Sequence, residues 1–254
     1  MAINDYFRKQ RMNGLDGQLY VYKYIKLKYL MPLIENKKLR IEKVSLWDDP
    51  YENFFLKSNF YIFASFYQRV VQVHTDDVCN RTYGQSWTMT EESDAMWRIY
   101  SNKDDIENTA IRIKIKVDNL FNIVYTSDEC MATTSIGSVE YKTDEEITDW
   151  MQSLEGIDSS FPKYAERSLF IKRKPFEHER EVRIIISKDT QQPAESFIEY
   201  VIPDIEHIEE FVLDPRLNEE RVQKIMQQLC DVGVNMNKIR KSKLYEFVPV
   251  NLNI

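Results

Sequence analysis

Apolar positions in this chain recur with two periods, near 2 and near 3.6, and their succession predicts the elements. A short first helix is expected over Asp5 to Gln10, capped by Asn4. Leu19 to Ile25 alternates and is rich in Tyr and Val, so it reads as a strand. Leu27 to Asn36 follows as a helix, in which Pro32 requires an early start or a kink. Lys38 to Val44 alternates again. Tyr51 to Val73 is heavily aromatic, and its length predicts a mostly helical segment crossing the core. Tyr83 to Met89 reads as a strand, and Ser93 has the chemistry of an N-cap for Asp94 to Tyr100. The clearest strand is Thr109 to Val117, where Ile111, Ile113, Ile115 and Val117 alternate with Arg112, Lys114 and Lys116. One buried face and one solvated basic stripe are expected there.

Thr143 with Glu146 is a capping-box signature for a helix through Leu154. Pro162 suits the first turn of the next helix, which should run to about Lys172. Glu181 to Ser187, Phe197 to Ile202 and Ile208 to Leu213 read as strands. Asn218 caps an amphipathic helix through Asp231 that Gly233 stops, and Ile239 to Phe247 closes the chain as a strand. Strands and helices interleave without repeated βαβ spacing. The prediction is an α+β protein: one mixed, largely antiparallel sheet with flanking helices, as a single domain over residues 1–254. Its motif-bearing core covers about 19–187, and 197–247 completes it.

Composition is that of an ordinary globular chain, with 43% apolar and 30% charged residues and only six glycines. Lys and Arg total 34 against 41 acidic residues, a formal charge of −7, so no global attraction to nucleic-acid phosphates is expected. Cys79, Cys130 and Cys230 are odd in number and lack a CxxC, which fits reduced thiols in a cytoplasm. Neither an apolar signal core nor a membrane-length run occurs. A cytoplasmic protein with no membrane partner is the expectation.

Walker, GxGxxG, GxSxG and HExxH signatures are absent, and His74, His178 and His207 stand apart in sequence. Three stretches could carry chemistry. In Trp47-Asp48-Asp49-Pro50-Tyr51-Glu52, Asp49 at N-cap, Pro50 at N1 and Glu52 in the first turn read equally as a well-capped helix. Ser86-Trp87-Thr88 is followed by Asp94 to Tyr100, in which Trp97 and Tyr100 share a helix face. That pair is either core or an aromatic wall for a flat heterocycle, with Ser86 or Thr88 supplying a hydroxyl.

The third stretch is Phe176 to Arg183. On a strand, Glu179, Glu181 and Arg183 would point to one face. A surface salt-bridge ladder is one reading, and it would contribute little stability. The other is a site where one carboxylate stabilises positive charge beside a sugar and the second orients or deprotonates a nucleophile. Arg183 would then hold Glu181 ionised and fixed. A metal-dependent nuclease built on Asp49, Glu52, Glu179 and Glu181 is a further alternative, weakened by the acidic balance and the lack of a following catalytic lysine.

Taken in order, these motifs resemble a bacterial domain-of-unknown-function family related to the AbiGi abortive-infection proteins. The resemblance runs through Lys23 and Tyr24, Asp48 to Glu52, Trp87 and Thr88, Met96 to Tyr100, and Phe176 to Arg183, about Leu19 to Ser187. Asp48, Thr88 and Phe176 stand where the family pattern has Asn, Ser and Trp, and its His-x-Gly segment is not evident between Ser101 and Ala110. Such proteins look like distant relatives of ADP-ribosyltransferases, several of which act as toxins or phage-defence effectors. The resemblance implies an ADP-ribosyltransferase-like fold and NAD as substrate, with no metal. It implies Glu181 as catalytic glutamate and Glu179 as its acceptor-side companion. Lys23 or Tyr24 would contact the diphosphate or adenosine of NAD, and Ser86 or Thr88 the nicotinamide side. Asp49, Glu52, Trp97, Tyr100 and Arg183 complete the expected nucleotide site. A macromolecular acceptor and an antitoxin or defence-system partner are compatible with it. The alternative on the same fold is a non-catalytic nucleotide-binding or regulatory domain.

Overall fold

The computed structural model describes residues 3–47, 49, 51–64, 68–73, 75–125, 134–154, 157–188 and 195–249. Asp48, Pro50, His74 and Cys130 lie outside the described residues. The N-terminal third contains α1 (Ile3–Arg11), β1 (Tyr20–Lys26), α2 (Leu27–Asn36), β2 (Lys38–Lys43), β3 (Phe60–Ala64) and β4 (Arg69–Val73). The middle contains α3 (Asp76–Asn80), β5 (Thr82–Thr88), α4 (Asp94–Tyr100), β6 (Ala110–Lys116), α5 (Val117–Val124), β7 (Thr134–Ser138) and β8 (Glu140–Lys142). There follow α6 (Asp144–Gln152), α7 (Ile157–Ser168), β9 (Ile171–Arg173), β10 (Glu181–Ser187), β11 (Phe197–Val201), β12 (Ile208–Leu213), α8 (Glu219–Asp231) and β13 (Ile239–Lys241).

Nine strands form one mixed sheet in the order β11-β2-β5-β1-β6-β12-β13, with β10 pairing β5 and then β7. Every pairing in it is antiparallel except β12 with β13. The expected α+β class with a largely antiparallel sheet is therefore observed. On one face Ile111, Ile113 and Ile115 of β6 pack with Leu30 of α2, Phe121 of α5 and Ile225 of α8. Near Ile185, a second cluster gathers Phe55, Leu56, Leu169 and Phe170. Burial of this size is the principal favourable term in folding. No helix of the described residues is long and apolar enough to cross a membrane.

Several expectations need correction. The segment Tyr51 to Val73 is not helical: turns precede a β3–β4 hairpin whose register runs from Phe60–Val73 to Ala64–Arg69. Its Tyr, Ile, Phe and Val residues suit a pleated strand, and cross-strand pairing prevailed over length as the guide. Asp49 caps no helix; its Oδ1 accepts from the Tyr51 amide at 2.9 Å within a turn. Asn4 lies inside α1, and Pro162 lies inside α7, which starts at Ile157 and ends at Ser168. The closing strand ends at Lys241, where its parallel partner β12 ends at Leu213. The second face of β6 is not a solvated stripe either. Arg112 is fully buried, paired with Glu210 at 2.6 Å and stacked over Tyr22 at 4.8 Å.

Candidate functional site

β5 is the strand on which the site is built, because it meets three others. It pairs β10 along its length, placing Glu181 opposite Thr88 and Arg183 opposite Ser86. It meets β1 at Tyr22–Thr88 and β2 at Gly84–Glu42. Lys23 reaches from β1 and donates from Nζ to the Ser86 carbonyl at 2.8 Å. Residues of these strands line a cleft of about 380 Å³. Lys23, Tyr24, Asp49, Glu52, Ser86, Thr88, Tyr100, Glu179 and Glu181 all face it, joined by Tyr22, Glu42, Trp47 and Lys172.

The floor is a buried charge cluster rather than a surface ladder. Arg183, fully buried, grips Glu181 with both ends of its fork, Nε to Oε1 at 2.8 Å and Nη2 to Oε2 at 2.9 Å. It also donates to the Leu169 carbonyl at 2.7 Å and to Glu52 at 2.8 Å, while Trp47 lies 4.6 Å from its guanidinium carbon. Trp47 packs this close because β5 has a glycine beneath it; a Cβ at Gly84 would stand 2.4 Å from the indole. Arg183 thus supports Glu181 from behind and does not itself line the cleft.

Glu179 does not belong to the strand. It ends a 3-10 segment, Lys174–Glu179, opened by Pro175, and Arg180 then turns the chain with φ +43°. The expected strand face was therefore wrong, yet Glu179 still converges with Glu181 through Lys172. That ammonium lies 2.5 Å from Glu179, 3.0 Å from Glu52 and 3.4 Å from Glu181. Sequence reasoning missed Lys172, which was expected at the end of a helix and instead sits on the short strand β9; a lone lysine at the end of a predicted element carries no pattern. It also missed Tyr141 on β8, whose hydroxyl oxygen accepts from the Glu181 amide at 2.7 Å.

Burial opposes the charge on Glu181, but Arg183, then Lys172 and the Ser86 hydroxyl, outweigh it and hold the carboxyl below its ordinary value. Burial likewise opposes the charge on Lys172, and Glu181, Glu179 and Glu52 override it, raising its pKa. Lys23 goes the other way: burial brings it down to about 8, only partly offset by Glu181 and Glu42. Burial pushes Tyr24, Tyr100 and Tyr141 up to about 12, so all three remain neutral donors near pH 7.

Tyr24 and Tyr100 form the aromatic side of the cleft, stacked 6.3 Å apart at 27°. Trp97 stands behind them, fully buried against Tyr24 at 4.7 Å, and does not reach the cleft. Of its two expected roles it fills the core one. Thr88 also serves the architecture, since its hydroxyl donates to the Glu179 carbonyl at 2.5 Å and pins the 3-10 segment to β5.

Carboxylates outnumber cations around the cleft: Glu42, Asp49, Glu52, Glu179 and Glu181 face Lys23 and Lys172. Arg183 below, Arg173, 3.5 Å from Asp49, and Arg40, 3.1 Å from Glu42, offset three more from outside the cleft, so the excess of carboxylates is confined to the lining itself. Such a site suits a flat, positively charged ring, which gains from both the aromatic faces and the carboxylates that line the cleft. It suits a divalent metal poorly, because the Lys172 ammonium occupies the space between Glu52, Glu179 and Glu181. Among the described residues no three His, Cys, Asp or Glu side chains gather in a metal-binding group. Of the other groups that the sequence offered, His178 is exposed, Cys79 is buried and Cys230 is half-buried.

The profile of a family described as "Protein of unknown function (DUF2971)" matches residues 96–184, which include most of α4, all of β6 and the start of β10. No curated protein matches the chain. Among solved structures the chain is similar to Thermus sp. 2.9 DarT in complex with NAD+, at 7% identity and a TM-score of 0.41, covering 90% of this chain and 97% of that one. It is also similar to Thermus sp. 2.9 DarT in complex with ADP-ribosylated ssDNA, at 8% identity and a TM-score of 0.37, covering 87% and 91%.

Proposed function

We propose that the chain is an NAD-consuming, ADP-ribosyltransferase-like enzyme, an effector of the kind found among anti-phage defence toxins. One observation carries the reading: an ionised glutamate, Glu181, is clamped at the floor of an acidic, aromatic-sided cleft. The nicotinamide of NAD is a flat pyridinium cation, matched to Tyr24, Tyr100 and the carboxylates lining the cleft. When its bond to the ribose breaks, the bonding electrons go to the ring nitrogen and positive charge develops on the sugar. A fixed carboxylate stabilises that charge without reorganising. Both oxygens of Glu181 are held by Arg183, and Lys172 lies 3.4 Å from one of them, so Glu181 acts as a fixed charge rather than a base. Glu179, nearer the solvent, is the group to take the acceptor's proton as its oxygen or nitrogen bonds to the sugar carbon.

The test is NAD consumption by wild type, Glu181→Gln and Tyr100→Ala. Glu181→Gln leaves Arg183 with a neutral partner, so folding must be checked alongside, and Tyr100→Ala perturbs a partly exposed wall instead. The reading expects turnover in wild type, a loss of about 10²-fold or more in Glu181→Gln, and a clear decrease in folded Tyr100→Ala. Absence of turnover in wild type, with no component of a cell extract modified, would remove it.

The saturation of Glu181 favours one second reading, a non-catalytic nucleotide-binding or regulatory domain. In that case nucleotides raise Tm by binding the native state while NAD remains intact.

A further inference from the structure

A second cavity, of about 450 Å³, adjoins the first and shares Tyr100 with it. Its charge is the reverse. Lys26, Arg98, Lys103 and Arg216 line it, with Asp104 as the opposing acid. Three of these cations have partners: Arg98 lies 2.8 Å from Asp94, Lys103 is 2.8 Å from Asp104, and Arg216 is 2.6 Å from buried Asp214. Arg216 also donates to the Trp97 and Ser101 carbonyls at 2.8 and 3.0 Å, closing the C-terminal end of α4. Lys26, at the end of β1, makes no ion pair among the described residues. The Arg98–Asp94 and Lys103–Asp104 pairs are solvent-exposed, so they contribute little and a stronger anion can exchange into them. Ser101 accepts from the Ala110 amide at 3.0 Å, which leaves its hydroxyl proton free to donate.

We infer that this second cavity is a phosphate subsite, which receives the pyrophosphate of a ligand whose cationic ring occupies the first cleft. Tyr100 is the wall between a cleft lined mostly by carboxylates and a cavity lined mostly by cations. A ligand with a pyridinium at one end and two phosphates beyond it satisfies both sites in one orientation and is repelled in the other. Phosphate oxygens take charge-assisted hydrogen bonds from lysine and arginine, the donors this cavity offers. The identity of the whole ligand rests on the NAD reading; the anion preference rests on Lys26, Arg98, Lys103 and Arg216 alone.

The experiment is calorimetric titration of the full chain with inorganic pyrophosphate at low ionic strength, with 1-methylnicotinamide as a separate probe of the first cleft. Wild type should bind both. Lys26→Glu removes no ion pair, so Tm and 1-methylnicotinamide affinity should stay unchanged while pyrophosphate affinity decreases by about tenfold or more. No pyrophosphate binding to wild type, or equal binding to Lys26→Glu, overturns the subsite. ADP-ribose should displace pyrophosphate. Displacement by a single-stranded oligonucleotide but not by ADP-ribose overturns the assignment to the donor's pyrophosphate and gives the cavity to the acceptor's phosphodiester. These readouts do not depend on turnover. Pyrophosphate binding lost in Lys26→Glu, on a chain that leaves NAD intact, would keep the subsite and remove the transferase reading.

Discussion

Lys172 is an ammonium enclosed by three carboxylates, and they raise its pKa against the opposing effect of burial. Among the described residues, the cations paired with Glu181, Glu179 and Glu52 are Lys172 and the buried Arg183. Replacing Lys172 with methionine would therefore leave like charges close together in a region from which water is largely excluded. The expected loss of unfolding free energy is about 3–5 kcal/mol, the scale for removing one partner of a buried ion pair. Urea unfolding would read it. Lys172→Arg should retain most of the stability, and adding Glu179→Gln to Lys172→Met should recover part of it, because the two sites are coupled. A loss below about 1 kcal/mol, the level of an exposed pair, would mean that the floor is hydrated and the cluster unimportant to folding.

At the level of elements, the close approach of Trp47 to β5 is what lets one strand serve both the sheet and the site. A methyl group at Gly84 would meet the rigid indole at 2.4 Å, with Ile185 on the other side at 3.2 Å. Gly84→Ala should cost about 1–3 kcal/mol by overpacking and should shift Trp47 off Arg183, weakening the floor as well as the fold. Tryptophan fluorescence and urea unfolding would both register it; an unchanged spectrum with unchanged stability would contradict the packing argument. Most of this architecture was legible in sequence. The alternation in β1 and β6, the apolar run of β10, the capping box at Thr143 and the Asn218 cap of α8 are local signals, and each element appeared where its signal stood. The β3–β4 hairpin was not legible, because its identity is decided by pairing across a turn rather than by local period. The site was legible as a set of motifs but not as a geometry. Glu179 and Glu181 were expected to meet on one strand face, whereas they meet around a lysine from another strand. The stripe on β6 failed for the related reason that burial of Arg112 depends on Glu210 and Tyr22, which lie on other strands.

For the molecule as a whole, the buried titratable groups fix how stability should vary with pH, and the sign follows from each shift. Glu181 lies below its ordinary value of 4.5, so its contribution is complete above that pH and is lost as pH falls through the depressed native value. Lys172 lies above 10.5, and Tyr24, Tyr100 and Tyr141 move from 10.0 to about 12. Their contributions are complete below the unfolded values and are lost as pH rises through the native ones. Lys23 has the opposite sense. Its native value of about 8 against 10.5 means that the unfolded chain binds the extra proton between these limits, so stability rises with pH across that interval. The curve of unfolding free energy should therefore climb out of acid, level off near neutrality, rise again above about 8 and decline once the tyrosines and Lys172 titrate, beyond about 10. Lys23→Met should erase the rise above 8 and leave the acid limb in place, since Glu181 keeps Arg183 and Lys172. Urea titrations at a series of pH values would separate the two. A wild-type maximum near pH 6, or a rise that persists in Lys23→Met, would show that Lys23 keeps its proton in the cleft through that interval.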